Sequence, residues 1–168
     1  MPGKISSLFS FPNPVNEVSA RVVAGGVVLM SAAFVVTQNG WILLPLSYGF
    51  IARVLAGPRL SPLGRLATHF ITPRLGLPQR LVPGPPKRFA QTIGMLFSLT
   101  ASVLWLFDLH FAATVTIGLL ALAASLESFV GVCLGCLIFS QLMLWKIIPA
   151  SICAECNDIT LRAATARQ

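Results

Sequence analysis

Charge is what this sequence has least of. Only 10% of its 168 residues are charged, and only five are acidic, whereas a soluble domain carries about 25% charged residues. So little charge excludes a water-exposed surface over most of the chain, and the 55% of hydrophobic residues indicates an integral membrane protein. The length allows one small helical bundle, because each span needs about 20 apolar residues.

The sequence also lacks the motifs of several enzyme classes. It contains no Ser-His-Asp order, no phosphate-binding loop, no haem CxxCH motif and no nucleotide-binding fingerprint. These absences argue against triad hydrolases, nucleotide-dependent enzymes and c-type haem proteins. Whether the chain is an enzyme stays open on sequence alone.

Four apolar stretches are separated by turn signals. They cover about 18–36, about 41–56 and about 89–107, and the fourth begins at about Phe111. A helix continuing from there to Pro149 would be roughly 58 Å long, against a hydrocarbon core of roughly 30 Å, so it must break, and Gly131 and Gly135 are the natural places. We therefore predict an all-α membrane protein, a four-transmembrane-helix bundle with a short segment after the last span; five spans are the alternative.

The positive charge of the chain is concentrated in one segment. Seven basic residues and no acid lie between positions 53 and 88: Arg53, Arg59, Arg65, Arg74, Arg80, Lys87 and Arg88. Between spans, such a segment is typical of a cytoplasmic loop, and no nucleic-acid partner is expected. Within it, Leu63, Leu66 and Phe70 share one face of a short interfacial helix, which we expect to end at Pro73. Both termini are then cytoplasmic.

The four cysteines form two pairs with the pattern C-x2-C-x16-C-x2-C. With four spans, Cys133 and Cys136 lie where the last span reaches the inner face, near the start of a new helix. A helix N-terminus lowers the pKa of a thiol, whereas apolar surroundings raise it, and the sequence leaves that balance open. Packing without chemistry is the competing interpretation.

Zinc is a second alternative for the cysteines. The spacing of Cys133, Cys136, Cys153 and Cys156 falls in the range of four-cysteine zinc sites. A twelve-residue helix in the apolar linker would, however, hold the two pairs roughly 18 Å apart, while zinc needs four sulfurs about 2.3 Å from one ion. We expect no cofactor and keep zinc as the alternative.

Glu127 is the only acid well inside a predicted span. An ionisable residue in such a place is a functional-site hypothesis by default, and Glu127 precedes Cys133 by six residues. It could exchange the proton that a thiol loses when it becomes a thiolate. The alternative is a carboxylate that only fixes helix packing.

Several stretches resemble a known family. V-N-E-V-S-A-R-V, A-G-P-R-L-S-P-L-G-R-L-A, P-K-R-F-A-Q-T-I-G and above all L-E-S-F-V-G-V-C-L-G-C are similar to the bacterial membrane family called domain of unknown function 4395, over about residues 15–145. Its members tend to be encoded beside thioredoxin-like proteins and sulfurtransferases, which implies a thiol or sulfane-sulfur role. The family has no established activity, and the tail with Cys153 and Cys156 extends past the shared region.

We therefore predict a membrane domain over 1–149, a polar cysteine-containing tail over 150–168, and a location in the bacterial inner (cell) membrane. The expected function is a thiol-redox or sulfane-sulfur relay. Cys133 and Cys136 would react, Glu127 would assist, and Cys153 and Cys156 would shuttle equivalents. The expected partners are a thioredoxin-like or rhodanese-like protein and membrane lipid, and a homo-oligomer is allowed. The alternative is a membrane scaffold or small transporter without catalysis.

Overall fold

The computed structural model describes residues 13–76, 78, 80–149, 152 and 153, and most of this part of the chain is helical. The α-helices are α1 Glu17–Thr37, α2 Leu43–Ala56, α3 Pro62–Leu66, α4 Thr72–Leu75, α5 Gly84–Leu106, α6 His110–Ser125 and α7 Leu134–Leu144. Short 3₁₀ helices cover Gly40–Ile42 and Gly57–Arg59, and π-helical turns cover Ala67–Ile71 and Leu126–Val130. Two short strands, β1 Val15–Asn16 and β2 Leu81–Val82, pair antiparallel.

Four segments are long and apolar enough to cross a membrane. They are Glu17–Thr37, Gly40–Leu75, Gly84–Leu106 and His110–Val130, so the predicted four-span helical bundle is confirmed and the chain is a multi-pass membrane protein. The apolar helix α7 has 11 residues and is about 16 Å long, about half of the roughly 30 Å needed to cross the hydrocarbon core. It follows the last span as a short separate helix.

Helix α5 begins at Gly84, five residues before the start predicted from the hydropathy. The two prolines that follow Gly84 occupy its first turn. A proline is tolerated there because the first N–H groups of a helix have no intrahelical acceptor. As a result Lys87, which the sequence had assigned to a loop, lies within the first turns of a helix.

The helix predicted to end at Pro73 continues to Leu75 instead. Its middle part, Ala67–Ile71, is a π-helical turn, and the N–H of Thr72 donates to the carbonyl of Ala67, five residues back. This wider turn makes room for Pro73, which has no N–H and whose ring would clash with a regular α-helical turn. The buried Thr72 hydroxyl then lies 3.0 Å from that of Ser19 and links α4 to α1.

The short β-ribbon holds the first turns of α1 and α5 side by side. Val15 lies opposite Val82, the N–H of Glu17 donates to the carbonyl of Arg80 at 2.7 Å, and the N–H of Gly84 donates to Asn13 Oδ1 at 2.8 Å. Because successive spans run in opposite directions, the last turns of α2 and α6 lie at this same end of the bundle. We call it the ribbon end.

The core of the bundle lies between the ribbon end and the opposite end. Buried apolar residues from α1, α2, α5 and α6 pack there, among them Phe34, Leu46, Ala101 and Ile117. At the far end the ring of Trp105 meets Phe34 edge-on, with 5.2 Å between the ring centroids. Trp41, at the same end, is largely exposed.

Candidate functional site

The CxxC pair lies at the start of α7. The last span ends in the π-helical turn Leu126–Val130, and Gly131 follows it with a φ of 79°, a left-handed conformation that glycine adopts without strain. Cys133 is extended and is the N-cap of α7. The predicted break at a glycine and the predicted helix start at the first cysteine are both observed.

Arg21 of α1 fixes the point where the last span ends. Its Nε donates to the carbonyl of Ser128 at 3.2 Å, and its Nη2 donates to the carbonyl of Phe129 at 3.1 Å. The last carbonyls of a helix have no intrahelical donor and carry partial negative charge, so a cation is favourable there. Arg21 thereby holds the turn that leads into Cys133.

The side chain of Cys133 is turned toward the first turn of α7. Its Sγ accepts a hydrogen bond from the backbone N–H of Cys136 at 3.4 Å. Both are free thiols; Cys133 is buried and Cys136 is partly buried. A thiolate at Cys133 would therefore receive a backbone hydrogen bond in addition to the favourable field of the helix start.

The balance that the sequence left open favours the thiolate at Cys133. A hydrogen bond from the side chain of Cys136 lowers the pKa of Cys133 below its ordinary value, and the cation of Lys87 also lowers it, against burial and the charge of Glu127. The pKa of Cys136 is raised, first by the hydrogen bond that its own thiol donates to Cys133 and then by burial. Cys133 is thus the more acidic thiol and Cys136 the one that keeps its proton.

A close contact between two helices brings these thiols toward Lys87. A Cβ atom at Gly135 would lie 2.5 Å from both Cα and Cβ of Ala90 on α5, so only glycine allows the backbone of α7 to approach this near. Lys87 is one turn before Ala90 on the same helix. The second glycine of V-G-V-C-L-G-C therefore serves packing, whereas the first serves the turn.

Glu127 forms an ion pair with Lys87. The Lys87 Nζ lies 2.7 Å from Glu127 Oε1, and the two side chains are 8% and 22% exposed. A hydrogen-bonded pair at this distance can neutralise both charges in a place that little water reaches. Glu127, predicted as a proton acceptor or donor for the thiol, is therefore first of all the counter-ion of Lys87.

Arg53 is the most deeply buried cation near the thiols, with 2% of its surface exposed. Its Nη1 lies 3.5 Å from Ser61 Oγ, and its guanidinium stacks on the ring of Phe50 at 4.5 Å. Its Nε and Nη2 meet no hydrogen-bond acceptor among the described residues. Burying a charged donor in this way is costly.

A cavity of about 330 Å³ connects these groups. Its polar residues are Arg53, Lys87, Gln91, Glu127 and Cys133, and its other walls are mostly apolar side chains of α1, α2, α5, α6 and α7. The side-chain oxygen of Gln91 is buried and has no partner in the described part of the chain. Ligand sites typically have such an apolar wall with a few polar groups, in volumes of about 300–1,000 Å³.

The structure brings together three of the five predicted site residues. Cys133 and Glu127 line one cavity, and Cys136 contacts Cys133. Cys153 is buried and disulfide-bonded, and Cys156 lies outside the described residues. Among the described residues no group of three or more His, Cys, Asp or Glu could hold a metal ion. The four-cysteine zinc site and the shuttle through the tail stay predictions.

Sequence reasoning missed Arg53, Lys87 and Gln91. The two cations were counted with the basic loop, where they helped to orient the chain in the membrane. One available signal was the position of the two cations, since Arg53 lies inside the second apolar stretch and Lys87 lies just before the third. Cations so close to a span can turn into the bundle if an acid or a cavity is there to receive them.

Comparison with known proteins is informative at the level of the family. Comparison with curated proteins and with solved structures finds no match. One family model matches residues 15–144, which include the β-ribbon, all four spans and α7 with its CxxC pair. The chain therefore belongs to the family described as Domain of unknown function (DUF4395).

Proposed function

We propose that the protein is a membrane thiol relay, in which Cys133 and Cys136 exchange disulfide equivalents or carry a sulfane sulfur atom. The observation that carries the proposal is the position of Cys133 at the N-cap of α7, with its sulfur accepting the Cys136 N–H at 3.4 Å. Cysteines with lowered pKa at helix starts are typical of thiol-disulfide exchange proteins. Two thiols in contact, one acidic and one protonated, divide the roles of attacking and resolving thiol between them.

The redox form of the relay proceeds through a mixed disulfide. The Cys133 thiolate attacks one sulfur of an incoming disulfide, a new S–S bond forms, and the other sulfur leaves as a thiolate. Cys136 then gives up its proton and attacks the Cys133 sulfur, releasing the second thiolate. The chain ends with a Cys133–Cys136 disulfide; two electrons have passed to the incoming disulfide, which leaves as two thiolates, and Cys136 has released one proton.

The sulfur-transfer form uses the same nucleophile. The Cys133 thiolate attacks the outer sulfur of a persulfide, the S–S bond of the donor breaks, and the donor leaves as a thiolate. Cys133 then carries the transferred sulfur as its own persulfide, with no net oxidation. In either form the proposed partner is a thioredoxin-like or rhodanese-like protein. Of the two thiols, the partly buried Cys136 is more accessible than the buried Cys133.

The proposed location is the bacterial inner membrane with both termini in the cytoplasm. Two of the seven cations in 53–88, Arg53 and Lys87, are buried in the bundle and give no information about a lipid surface. The five that remain are exposed: Arg59, Arg65, Arg74, Arg80 and Arg88. They still support a cytoplasmic ribbon end by the positive-inside rule.

The test is to trap the mixed disulfide. Purified protein with Cys133→Ser or Cys136→Ser is treated with a small disulfide reagent, and adducts are located by mass spectrometry. We expect a stable adduct on Cys133 when Cys136 is absent, because nothing then resolves it, and little adduct on Cys136 when Cys133 is absent. Equal adduct formation by the two single variants would contradict the assigned roles and favour a packing or scaffold role.

A further inference from the structure

The cavity at the ribbon end has an excess of positive charge. Its wall carries two cations, Arg53 and Lys87, and one acid, Glu127. Lys87 and Glu127 are paired at 2.7 Å, and Glu127 also attracts Arg53, so with protonated thiols the cavity wall carries one net positive charge. A buried charge that is not balanced is strongly unfavourable. A ligand that balances it would therefore be favoured in this cavity.

Two donors of the buried Arg53, Nε and Nη2, lack an acceptor among the described residues. The side chain is 2% exposed and lines the cavity. Two N–H groups in one fork match the two oxygens of a carboxylate or a similar anion. Gln91 lines the same cavity and its side-chain oxygen also lacks a partner there; rotating its amide would offer a further donor.

The rest of the cavity requires an apolar body on the ligand. Away from its charged end the wall is built from aliphatic and aromatic side chains, including Val27, Phe97, Leu119 and Leu120. A small hydrated anion would leave this surface without a partner, and an uncharged lipid would leave Arg53 without one. Only a molecule with both parts matches the whole cavity.

We propose that this cavity binds an amphiphilic monoanion, with the anionic head on Arg53 and the apolar body between α1, α5 and α6. Cys133 lines the same cavity, so the bound molecule would share that cavity with the reactive thiol. The inference rests on the proposed function only in this last respect, as it gives the thiol relay a substrate class: sulfur compounds carried as an anion on an apolar group. The binding itself needs no thiol chemistry.

Binding is measured in phosphatidylcholine nanodiscs at a pH where carboxylates are ionised, with empty nanodiscs as the background. The probes are dodecanoate, dodecanol with the same chain and no charge, and acetate with the charge and no chain. We expect saturable binding of one dodecanoate per protein, at least tenfold tighter than dodecanol, and no measurable binding of acetate. Equal binding of dodecanol, or equal or tighter binding of a neutral decylbenzoquinone, would overturn the charged head.

The matched variants are Arg53→Met and Arg65→Met. Each removes one positive charge, but Arg65 is exposed and outside the cavity. We expect at least tenfold weaker dodecanoate binding with Arg53→Met and unchanged binding with Arg65→Met, both in proteins that remain folded. Parent-like binding by Arg53→Met would refute the proposal, and equal losses in both variants would show a general charge effect and refute it as well.

Two further measurements separate this proposal from the thiol relay. A variant with both Cys133→Ser and Cys136→Ser should still bind dodecanoate, because Arg53 and the apolar wall are intact. In the parent protein, bound dodecanoate should slow alkylation of Cys133, since both occupy one cavity. Loss of binding in the double serine variant would contradict the anion site, whereas a failed adduct experiment with intact binding would contradict the relay alone.

Discussion

The ion pair between Lys87 and Glu127 allows a sharp prediction about stability. Its two side chains are 8% and 22% exposed and its atoms are 2.7 Å apart, and removing one partner of such a pair costs roughly 3–5 kcal/mol because the other charge is left buried. Lys87→Met strands the more exposed Glu127, so we expect a loss of about 3 kcal/mol; Glu127→Gln strands the more buried Lys87, so we expect about 4 kcal/mol. Both changes together should cost no more than about 1 kcal/mol, since neither partner of this pair is then left buried without the other.

The same two variants should move the reactivity of Cys133 in opposite directions. Lys87 lowers the pKa of Cys133 and Glu127 raises it, so Lys87→Met should shift the pH midpoint of Cys133 alkylation upward and Glu127→Gln should shift it downward. At neutral pH the thiolate fraction, and hence the alkylation rate, falls in the first variant and rises in the second. A proton acceptor at Glu127 would give the opposite result, a slower reaction in Glu127→Gln.

The assay for stability is denaturant unfolding in mixed micelles, with the free energy of unfolding extrapolated to zero denaturant. Arg80→Met is the control, because Arg80 pairs with Glu17 at 3.8 Å and its side chain is 75% exposed, so about 0–1 kcal/mol is expected. If the double variant lost as much stability as the two single variants added together, the charges would act independently and the reasoning would be refuted.

The remaining predictions concern the geometry around the thiols. Gly135→Ala should cost about 1–3 kcal/mol of stability by overpacking against Ala90 and should raise the pH midpoint of Cys133 alkylation. The control is Gly118→Ala, where the new Cβ meets nothing within 4 Å and should stabilise α6 by about 0.5–1 kcal/mol. Equal effects of the two changes would refute the close approach of α7. Cys136→Ala should raise the pKa of Cys133, because the hydrogen bond from the Cys136 thiol is the largest of the influences that lower it. An unchanged pH profile of Cys133 alkylation would contradict this. Arg21→Met should cost about 1–2 kcal/mol of stability, because the carbonyls of Ser128 and Phe129 lose their donor. The control is Arg74→Met at an exposed position, for which we expect almost no change in stability.

Much of the fold followed from hydropathy and turn signals. The break after the last span was predictable because a helix through 111–149 is far longer than a membrane is thick, and Gly131 adopts the positive φ that the break requires. The start of α5 was not, because prolines normally indicate a loop, and only the first turn of a helix tolerates them. That difference of five residues moved Lys87 from a loop into the bundle.

The candidate site was only half predictable. The spacing of Cys133 and Cys136 and the position of Glu127 inside an apolar stretch can be read from the linear sequence. The partners of these residues cannot, since Lys87 and Glu127 are 40 residues apart and meet only when α5 packs beside α6. A single sequence shows that an acid is in a span, but the cation that neutralises it is found only when the helices are placed side by side.

The excess of positive charge around Cys133 favours a functional site over a purely structural one. A buried ion pair is weak evidence for stability, because apolar residues of similar volume often stabilise a core as well or better. Arg53, whose Nε and Nη2 meet no acceptor among the described residues, is expected to stabilise the bundle less than an apolar residue would. Stability alone therefore does not account for two cations beside a thiol whose pKa is lowered. The proposed function would account for them, because a thiolate on Cys133 is favoured by Lys87 and an anionic head in the cavity would be held by the two donors of Arg53 that meet no acceptor among the described residues. Under the two proposals, Lys87 would stabilise the thiolate that forms on Cys133, and Arg53 would bind the negative charge of the ligand.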